Sequence, residues 1–141
     1  MKAFLDSSVL VATFIGEHQH HERSAQLFLE QRKSTGCTAA HCLAEFYAVL
    51  TGIPGKDRAS PDETMLFIQE IRERLSTIAL DENEYFDVVE TAPALGISGG
   101  AIYDAVIARC ALKAKAQTLY TWNTRHFSRL GVEIASRTRE P

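Results

Sequence analysis

Three acidic residues stand at positions that a globular core normally avoids. Asp6 directly follows the apolar run 3–5, Glu45 lies on the apolar stripe of a segment with helical spacing, and Asp104 opens an apolar helix. A buried carboxylate is costly unless it finds a cation. Oxygen ligands select hard cations such as Mg²⁺ or Mn²⁺, and such an ion activates water and stabilises in-line attack on a phosphodiester. The three acids therefore predict one shared metal site, provided that the fold brings them together.

Each acid also has a purely structural interpretation. Asp6 is a favourable residue to cap the helix that follows it. Glu45 suits an interior ion pair with an arginine, and Asp104 suits the positive end of a helix dipole. Spacing alone leaves both interpretations of each residue open.

Short apolar segments alternate with longer segments of helical spacing, which indicates an α/β fold with a parallel sheet. The run 3–5 is apolar on both faces and suits a central strand, so Asp6 is expected in the crevice where open α/β sheets bind ligands. Further strands are predicted over 37–39, 76–80 and 118–121, with an edge strand over 132–135 and a mobile basic tail over 136–139.

Helices are predicted between these strands from apolar spacing and capping residues. Ser7 or Ser8 caps a first helix that ends near Gly16, and the next helix is expected to bury the apolar group Ala25, Leu27, Phe28 and Leu29. Three more helices are predicted over 41–51, 60–74 and 81–95, and a sixth begins near Asp104. Two of the helix starts carry capping-box pairs, Ser60 with Glu63 and Asp81 with Glu84.

Length and composition predict a single globular domain over residues 1–141, with 45% hydrophobic and 23% charged residues. No apolar stretch reaches the roughly 18 residues of a membrane-spanning helix, and the N-terminus lacks a long apolar signal segment. We therefore expect a cytoplasmic protein without membrane contact. The three cysteines lack metal-type spacing and are expected to be small buried hydrophobes.

The formal net charge of −3 argues at first against a polyanionic partner. If three carboxylates are neutralised by cations, however, the rest of the chain is balanced, and nucleic acid is permitted. A histidine group, His18, His20 and His21, invites a zinc interpretation. No matching ligand cluster follows at zinc-type spacing, so we favour a histidine-rich surface turn.

Four segments resemble, in order, the four motifs of PIN-domain ribonucleases. They are residues 4–11 (FLDSSVLV), 45–50 (EFYAVL), 103–108 (YDAVIA) and 119–127 (LYTWNTRHF). Each motif is weak alone, but four in the correct order are fairly specific, and the resemblance runs from residue 2 to about 134. The compact length is most similar to VapC-type toxins of bacterial toxin-antitoxin pairs. The resemblance implies a three-layer α/β/α domain with a central, mainly parallel sheet flanked by helices.

The resemblance also implies an endoribonuclease in which acidic side chains hold Mg²⁺ or Mn²⁺ and a metal-bound water cleaves RNA. By position, Asp6 and Asp104 would be the principal metal ligands. Glu45 would complete the acidic group, either by holding metal directly or through water, or by helping to deprotonate the nucleophile. A homodimer is also implied, as is inhibition by a cognate antitoxin whose C-terminal segment enters the active-site groove.

The last motif departs from the family pattern. Many family members have a further Asp there, whereas this chain offers Asn123 and His126, which puts a full second metal site in doubt. Asn123 is still a candidate to bind a metal-bound water or a phosphate oxygen. Arg125 is placed to meet a ligand in the same crevice, and Ser8 is placed to support Asp6.

RNA binding by an acidic site needs local cations and stacking surfaces. The candidate cations are Lys56, Arg58, Arg109, Arg125 and Arg129. The candidate stacking residues are Tyr47, Tyr103 and Trp122, although core packing or a dimer interface is the more common use of each.

Two other functions compete with the nuclease. Haloacid-dehalogenase-like phosphatases also place an Asp after the first strand, but they need another Asp two positions later, where this chain has Ser8. A PIN-like binding or regulatory module with weak or no nuclease activity is supported only by the missing fourth acid, and three retained acids count against it.

Overall fold

A five-stranded sheet in which every neighbouring pair is parallel forms the centre of the computed structural model, which describes residues 1–141. The strand order is β3-β2-β1-β4-β5. The strands are β1 (Ala3–Leu5), β2 (Gly36–Ala39), β3 (Ser76–Ile78), β4 (Thr118–Tyr120) and β5 (Thr138–Arg139). The first strand is fully buried in the middle of the sheet, as its apolar run predicts.

The order of the strands creates a crevice where the chain reverses direction across the sheet. From β1 the sheet grows one way through β2 and the other way through β4. Ligands of open α/β sheets bind beyond the carboxyl ends of the strands at such a switch point. Asp6 follows β1 and Thr121 follows β4, so both residues lie at this crevice.

Eight helices flank the sheet, as predicted for a three-layer α/β/α fold. They are α1 (Ser7–Phe14), α2 (His21–Leu29), α3 (Ala40–Gly52), α4 (Pro61–Arg74), α5 (Glu82–Thr91), α6 (Ala101–Lys113), α7 (Thr124–Ser128) and α8 (Val132–Arg137). Both predicted capping boxes begin helices. The Ser60 side chain accepts from the Glu63 backbone at α4, and Asp81 and Glu84 form the complete reciprocal pair at α5.

One cluster of 28 buried residues forms the hydrophobic core around the sheet. Its fully buried aromatic side chains are Phe4, Phe28, Phe46 and Phe127. The three cysteines are free and buried, as predicted. None of the helices has both the length and the apolar character to cross a lipid bilayer.

The predicted end of the chain is wrong. The segment predicted as an edge strand over 132–135 is helix α8, in which Val132 is 86% exposed and Ile134 is buried. The expected mobile tail instead completes α8 and forms β5, which pairs in parallel with β4. Residues 132–135 have no neighbouring strand to pair with, whereas Thr138 and Arg139 pair with Leu119 and Tyr120. Tertiary pairing thus overrides local propensity.

Smaller corrections concern helix faces and ends. Leu29 is 60% exposed rather than buried with Phe28, because it ends α2 on the outer side of the helix. The helix predicted over 81–95 stops at Thr91, and a single 3-10 turn, Pro93–Leu95, follows. A proline lacks the backbone N–H that the helix needs and disfavours helical geometry in the preceding residue.

Removing β5 tests the corrected chain end. A variant that stops at residue 137 loses the hydrogen bond from the Thr121 N–H to the Arg139 carbonyl (3.0 Å) and the buried Thr138 side chain. We expect the free energy of unfolding to fall by about 1–3 kcal/mol in urea titrations. A variant that stops at residue 139 keeps the strand and should match the full chain. Equal stability of all three proteins would contradict the pairing.

Candidate active site

The three predicted acids reach one crevice from three different elements. Asp6 lies between β1 and α1, Glu45 lies in α3 directly after β2, and Asp104 lies in the first turn of α6. Carboxylate oxygens of Asp6 and Glu45 lie within 4.8 Å of each other and of the Cys42 sulfur. Asp104 lies outside this tight group, but its negative charge raises the pKa of Glu45, and the charge of Asp6 raises the pKa of Asp104.

Asp6 is a buried carboxylate, 3% exposed, that is surrounded by hydroxyl groups. Thr121 Oγ1 donates to Oδ2 (2.8 Å), Ser8 Oγ donates to the same oxygen (3.0 Å), and Ser7 Oγ donates weakly to Oδ1 (3.4 Å). Burial raises the pKa of Asp6, and the hydrogen bonds from Thr121 and Ser8 oppose that rise. Asp6 occupies the capping position of α1, yet its side chain makes no capping hydrogen bond. The interpretation of Asp6 as only a helix cap is therefore wrong.

Glu45 is half-buried, with a hydrogen bond at one carboxylate oxygen and a histidine ring near the other. Ser7 Oγ donates to Oε1 (2.9 Å), and His41 Nε2 lies 3.6 Å from Oε2, one helical turn earlier. Burial is the largest cause of the raised pKa of Glu45. The Ser7 hydrogen bond lowers this pKa, and the negative charge of Asp6 raises it. No arginine pairs with Glu45, so the interior ion pair considered from the sequence is absent.

Asp104 faces the crevice with His126 beside it. His126 Nδ1 lies 3.7 Å from Asp104 Oδ2. Burial raises the pKa of Asp104, while the His126, Arg129 and His41 charges lower it. The helix-dipole interpretation therefore describes only part of its environment, because Asp104 also interacts electrostatically with the two other acids.

Cys42 lies against the acids but is poorly suited to bind metal. Its Sγ is 4.0 Å from Asp6 Oδ1, and complete burial raises the thiol pKa well above its usual value, with the charges of Asp6 and Glu45 adding to the rise. A thiol binds metal as the thiolate. The protonated sulfur is therefore a weak donor to Asp6, and the donor set is dominated by carboxylate oxygen.

The donor set fits a hard divalent cation. Asp6 pairs with no lysine, arginine or histidine, and Glu45 and Asp104 each pair only with a histidine. Three carboxylates at one crevice, none of them in an ion pair with lysine or arginine, concentrate negative charge there. Oxygen ligands of this kind match Mg²⁺ or Mn²⁺.

The three other predicted site residues, Ser8, Asn123 and Arg125, differ in how they relate to the acids. Ser8 does support Asp6, and it also accepts a hydrogen bond from the Trp122 backbone (3.0 Å) rather than capping α1. Asn123 is exposed with a free side-chain amide, and only its backbone is anchored, by donation to Thr121 Oγ1 (3.0 Å). Arg125 is exposed and forms none of the ion pairs, so the structure does not bring it to the acids.

Sequence reasoning assigned no role at the acids to Ser7, Thr121 or His41. The spacing of His41 and Glu45, four residues apart on a helix, is a readable signal for their contact. Ser7 was considered only as a helix cap. Thr121 contacts Asp6 across 115 residues, and no local pattern indicates such a pair.

The candidate RNA-binding residues have varied surroundings. Lys56 pairs with Glu17 (2.8 Å), and Arg109 pairs with Asp87 (3.7 Å) on the outer surface. Arg129 is the member of the group whose positive charge lowers the pKa of Asp104. Among the aromatic candidates, Tyr103 is 52% exposed and stacks on His41, whereas Trp122 is stacked on His20.

The histidine-rich segment is a surface turn, as predicted. His21 Nδ1 contacts the Ala12 carbonyl (3.0 Å), and the His20 N–H donates to His18 Nδ1 (3.0 Å). The one group of three potential ligand atoms in the chain does not include these histidines.

Sequence comparison gives a family and two ribonuclease relatives. A model of the PIN domain matches residues 3–133. The chain is 32% identical over 133 residues to Ribonuclease VapC40 of Mycobacterium tuberculosis, a match that covers 92% of this chain and 94% of the relative. Ribonuclease VapC27 of the same organism is 26% identical over 133 residues, covering 92% and 93% of the two chains.

Structural comparison confirms the fold. The crystal structure of M. tuberculosis VapC20, a Sarcin-Ricin loop cleaving toxin, has a TM-score of 0.73 at 14% identity and covers 94% of this chain and 98% of that chain. VapBC2 from Rickettsia felis bound to a DNA fragment from its promoter has a TM-score of 0.67 at 17% identity, with 99% and 98% coverage.

Replacing Asp6 by Asn should stabilise the metal-free protein. The pKa of Asp6 is raised by folding, so the native state binds more protons than the unfolded state, and its stability falls as pH rises from the ordinary pKa of 3.8 through the raised pKa. In EDTA at pH 7, we expect Asp6→Asn to raise the free energy of unfolding by about 0.5–2 kcal/mol. The gain should shrink as pH approaches 4, which urea titrations at several pH values will measure.

Asp87→Asn is the matched control, because this exposed residue has only a surface contact with Arg109. Its effect should stay within about 0.5 kcal/mol at every pH. A lower stability of Asp6→Asn at pH 7 in EDTA would contradict the picture of an uncompensated buried charge.

Proposed function

Because the chain belongs to the PIN-domain family and matches its VapC ribonucleases along nearly its whole length, we propose that it is a metal-dependent endoribonuclease and the toxin of a toxin-antitoxin pair. Asp6, Glu45 and Asp104 hold Mg²⁺ or Mn²⁺, and the substrate is RNA. The observation that carries the proposal is the pairing of the buried Asp6 carboxylate with Glu45, without any lysine or arginine to neutralise them.

When bound, the divalent cation activates water and neutralises charge that develops at the scissile phosphate. The protein's own contribution begins with Asp6. Ser8 and Thr121 both donate to its Oδ2, which fixes the plane of the carboxylate and favours its ionised form against the effect of burial. This support suits Asp6 to be a metal ligand, and Asp104 is the second carboxylate at the crevice.

Glu45 is suited to accept a proton from the attacking water. A general base works best when its pKa lies near the operating pH, and burial together with the Asp6 charge raises the pKa of Glu45 in that direction. Ser7 holds Oε1, which leaves Oε2, the oxygen beside His41, as the proton-accepting atom. At the rim, the free amide of Asn123 is placed to contact a phosphate oxygen, and Arg129 supplies positive charge near Asp104.

A cognate antitoxin and a second copy of the chain are the proposed protein partners. Among the similar folds, VapBC-1 from nontypeable Haemophilus influenzae was solved as a toxin–antitoxin complex, at 21% identity and a TM-score of 0.64. Exposed apolar side chains on and after α5, Tyr85, Phe86, Val89 and Leu95, supply surface for a homodimer contact. We also propose that the protein acts in the cytoplasm, where an RNA substrate would be available.

Cleavage of RNA by the purified, antitoxin-free protein tests the proposal. We expect cutting of total and structured RNA with Mg²⁺ or Mn²⁺ and none with EDTA. Asp6→Asn and Asp104→Asn should each lower the rate by about 100-fold or more, because each removes a charge that the transition state needs. Gel analysis of the products measures the rates, and Asp87→Asn should cut like the natural chain.

Failure of the well-folded, metal-supplied natural chain to cut any of several RNAs would contradict nuclease activity. That result would favour the non-enzymatic binding module, with Asn123 at the fourth acidic position as its structural basis.

Thermal unfolding measures metal binding independently of RNA cleavage. A ligand that binds only the folded state stabilises it by about 1.4 kcal/mol at ten times its dissociation constant. We therefore expect Mn²⁺ to raise the Tm of the natural chain and of Asp87→Asn, and to have little effect on Asp6→Asn. An equal rise in all three proteins would place the metal elsewhere.

A further inference from the structure

A cleft of about 430 Å³ opens directly beside the acids. Ser7 and Ser8 form its inner end, and their hydroxyl groups are the ones that hold Glu45 and Asp6. The cleft is therefore continuous with the proposed catalytic site. Its remaining walls come from α1, the histidine-rich turn, α3 and the segment after β4, and include Val11, His18, Gln19, His20, Val49 and Asn123.

One wall is a flat aromatic pair. The rings of His20 and Trp122 stack with centroids 3.7 Å apart and an interplanar angle of 7°. Trp122 is anchored twice, by its indole Nε1–H to Ser24 Oγ (2.8 Å) and by its backbone N–H to Ser8 Oγ (3.0 Å). Ser8 thus fixes both the aromatic wall and the Asp6 carboxylate, so the cleft and the acids keep a constant relative position.

The lining of the cleft carries no acidic or basic side chain apart from histidine, although the guanidinium of Arg23 lies over the Trp122 ring, 5.6 Å from its centroid. His18 accepts the His20 N–H at Nδ1 (3.0 Å), which leaves its proton on Nε2, and burial lowers its pKa. In this hydrogen bond His18 offers the cleft one N–H donor, at Nε2. The lining itself therefore supplies no fixed counter-charge for a phosphate group or a charged side chain, and a neutral polar ring needs none.

Two free amides stand at the opening. Gln19 and Asn123 are both exposed, and neither side-chain amide hydrogen-bonds to another protein group. An amide offers a donor and an acceptor side by side, which matches the edges of nucleobases. Unpaired bases of RNA are recognised through stacking on aromatic surfaces and hydrogen bonds to their edges.

We propose that this cleft binds an unpaired nucleobase of the RNA strand next to the phosphodiester that is cut, with the Gln19 amide contacting the base edge and the Asn123 amide contacting the phosphate beside it. The proposal rests on the proposed nuclease function and names the specificity element of that site. It makes the substrate a single-stranded or looped RNA, because a base inside a duplex cannot enter a cleft beside the acids.

Trp122 is the only tryptophan in the chain, so its fluorescence reports directly on the cleft. Titration with the four free nucleosides, which carry no phosphate, in EDTA should change this fluorescence in a saturable way with unequal affinities. Gln19→Ala should weaken the preferred nucleoside about ten-fold. Gln26→Ala is the matched control, because Gln26 is an exposed glutamine on α2 outside the cleft, and it should bind like the natural chain.

Mapping of RNA cut sites gives the second measurement. Gln19→Ala should still cut with Mg²⁺ or Mn²⁺ but lose about ten-fold of its preference for the base beside the cut, whereas Gln26→Ala should keep the natural pattern. Saturable nucleoside binding without any RNA cutting would support the cleft and overturn the nuclease. An unchanged cutting pattern with no nucleoside response, or a Gln19→Ala defect confined to antitoxin binding, would overturn the cleft proposal.

Discussion

A buried carboxylate without a basic partner is the constraint on which this structure depends. Asp6 lies in the centre of the molecule because β1 is the middle strand. Its charge is supported by hydroxyl groups from its own helix and from the end of β4, together with the backbone of Ser7 and Ser8, and by no basic side chain. Those hydroxyl groups reach it because β1 and β4 are paired in parallel with their carboxyl ends together. The sheet order therefore decides the chemistry of the site more than any single side chain does.

The same arrangement opposes the stability of the metal-free fold. Burial raises the pKa of all three acids, and their charges repel one another. The continuous apolar core offsets this cost, and it includes the fully buried Phe46, the residue next to Glu45 on α3. Sites that keep such strain do so where a ligand later relieves it. A divalent cation matches that requirement here, whereas a permanent arginine would have blocked the crevice.

The parts of the fold that were predictable are those that local chemistry determines. Capping at Ser60 and Asp81 follows from neighbouring residues, and the burial of β1 follows from an uninterrupted apolar run. The presence of Asp6 and Glu45 on apolar elements indicated a site, because a charge among apolar residues needs an explanation. Their closeness, and that of Asp104, depends on strand order, which spacing along the chain does not reveal.

The missed features share a different physical cause. Thr121 reaches Asp6, and Trp122 reaches Ser8, through hydrogen bonds between residues more than 110 positions apart. The strand at the chain end has the same character, since Thr138 is defined by its partner Leu119 rather than by its own sequence neighbours. Ser7 and Ser8 illustrate competition between roles, because hydroxyl groups that commonly cap helices here turn to the carboxylates.

The parallel pairing of β1 with β4 also has a consequence for biosynthesis. Residue 3 pairs with residue 118. The central strand β1 therefore cannot pair with β4, its second neighbour, until residues up to about 120 have been synthesised. Contacts of such long range form late, since the intervening chain must first be ordered. Asp6 therefore lacks Thr121 while the chain is still emerging from the ribosome. On the proposed function, the catalytic centre is therefore incomplete until the segment around Thr121 has been synthesised and has joined the sheet.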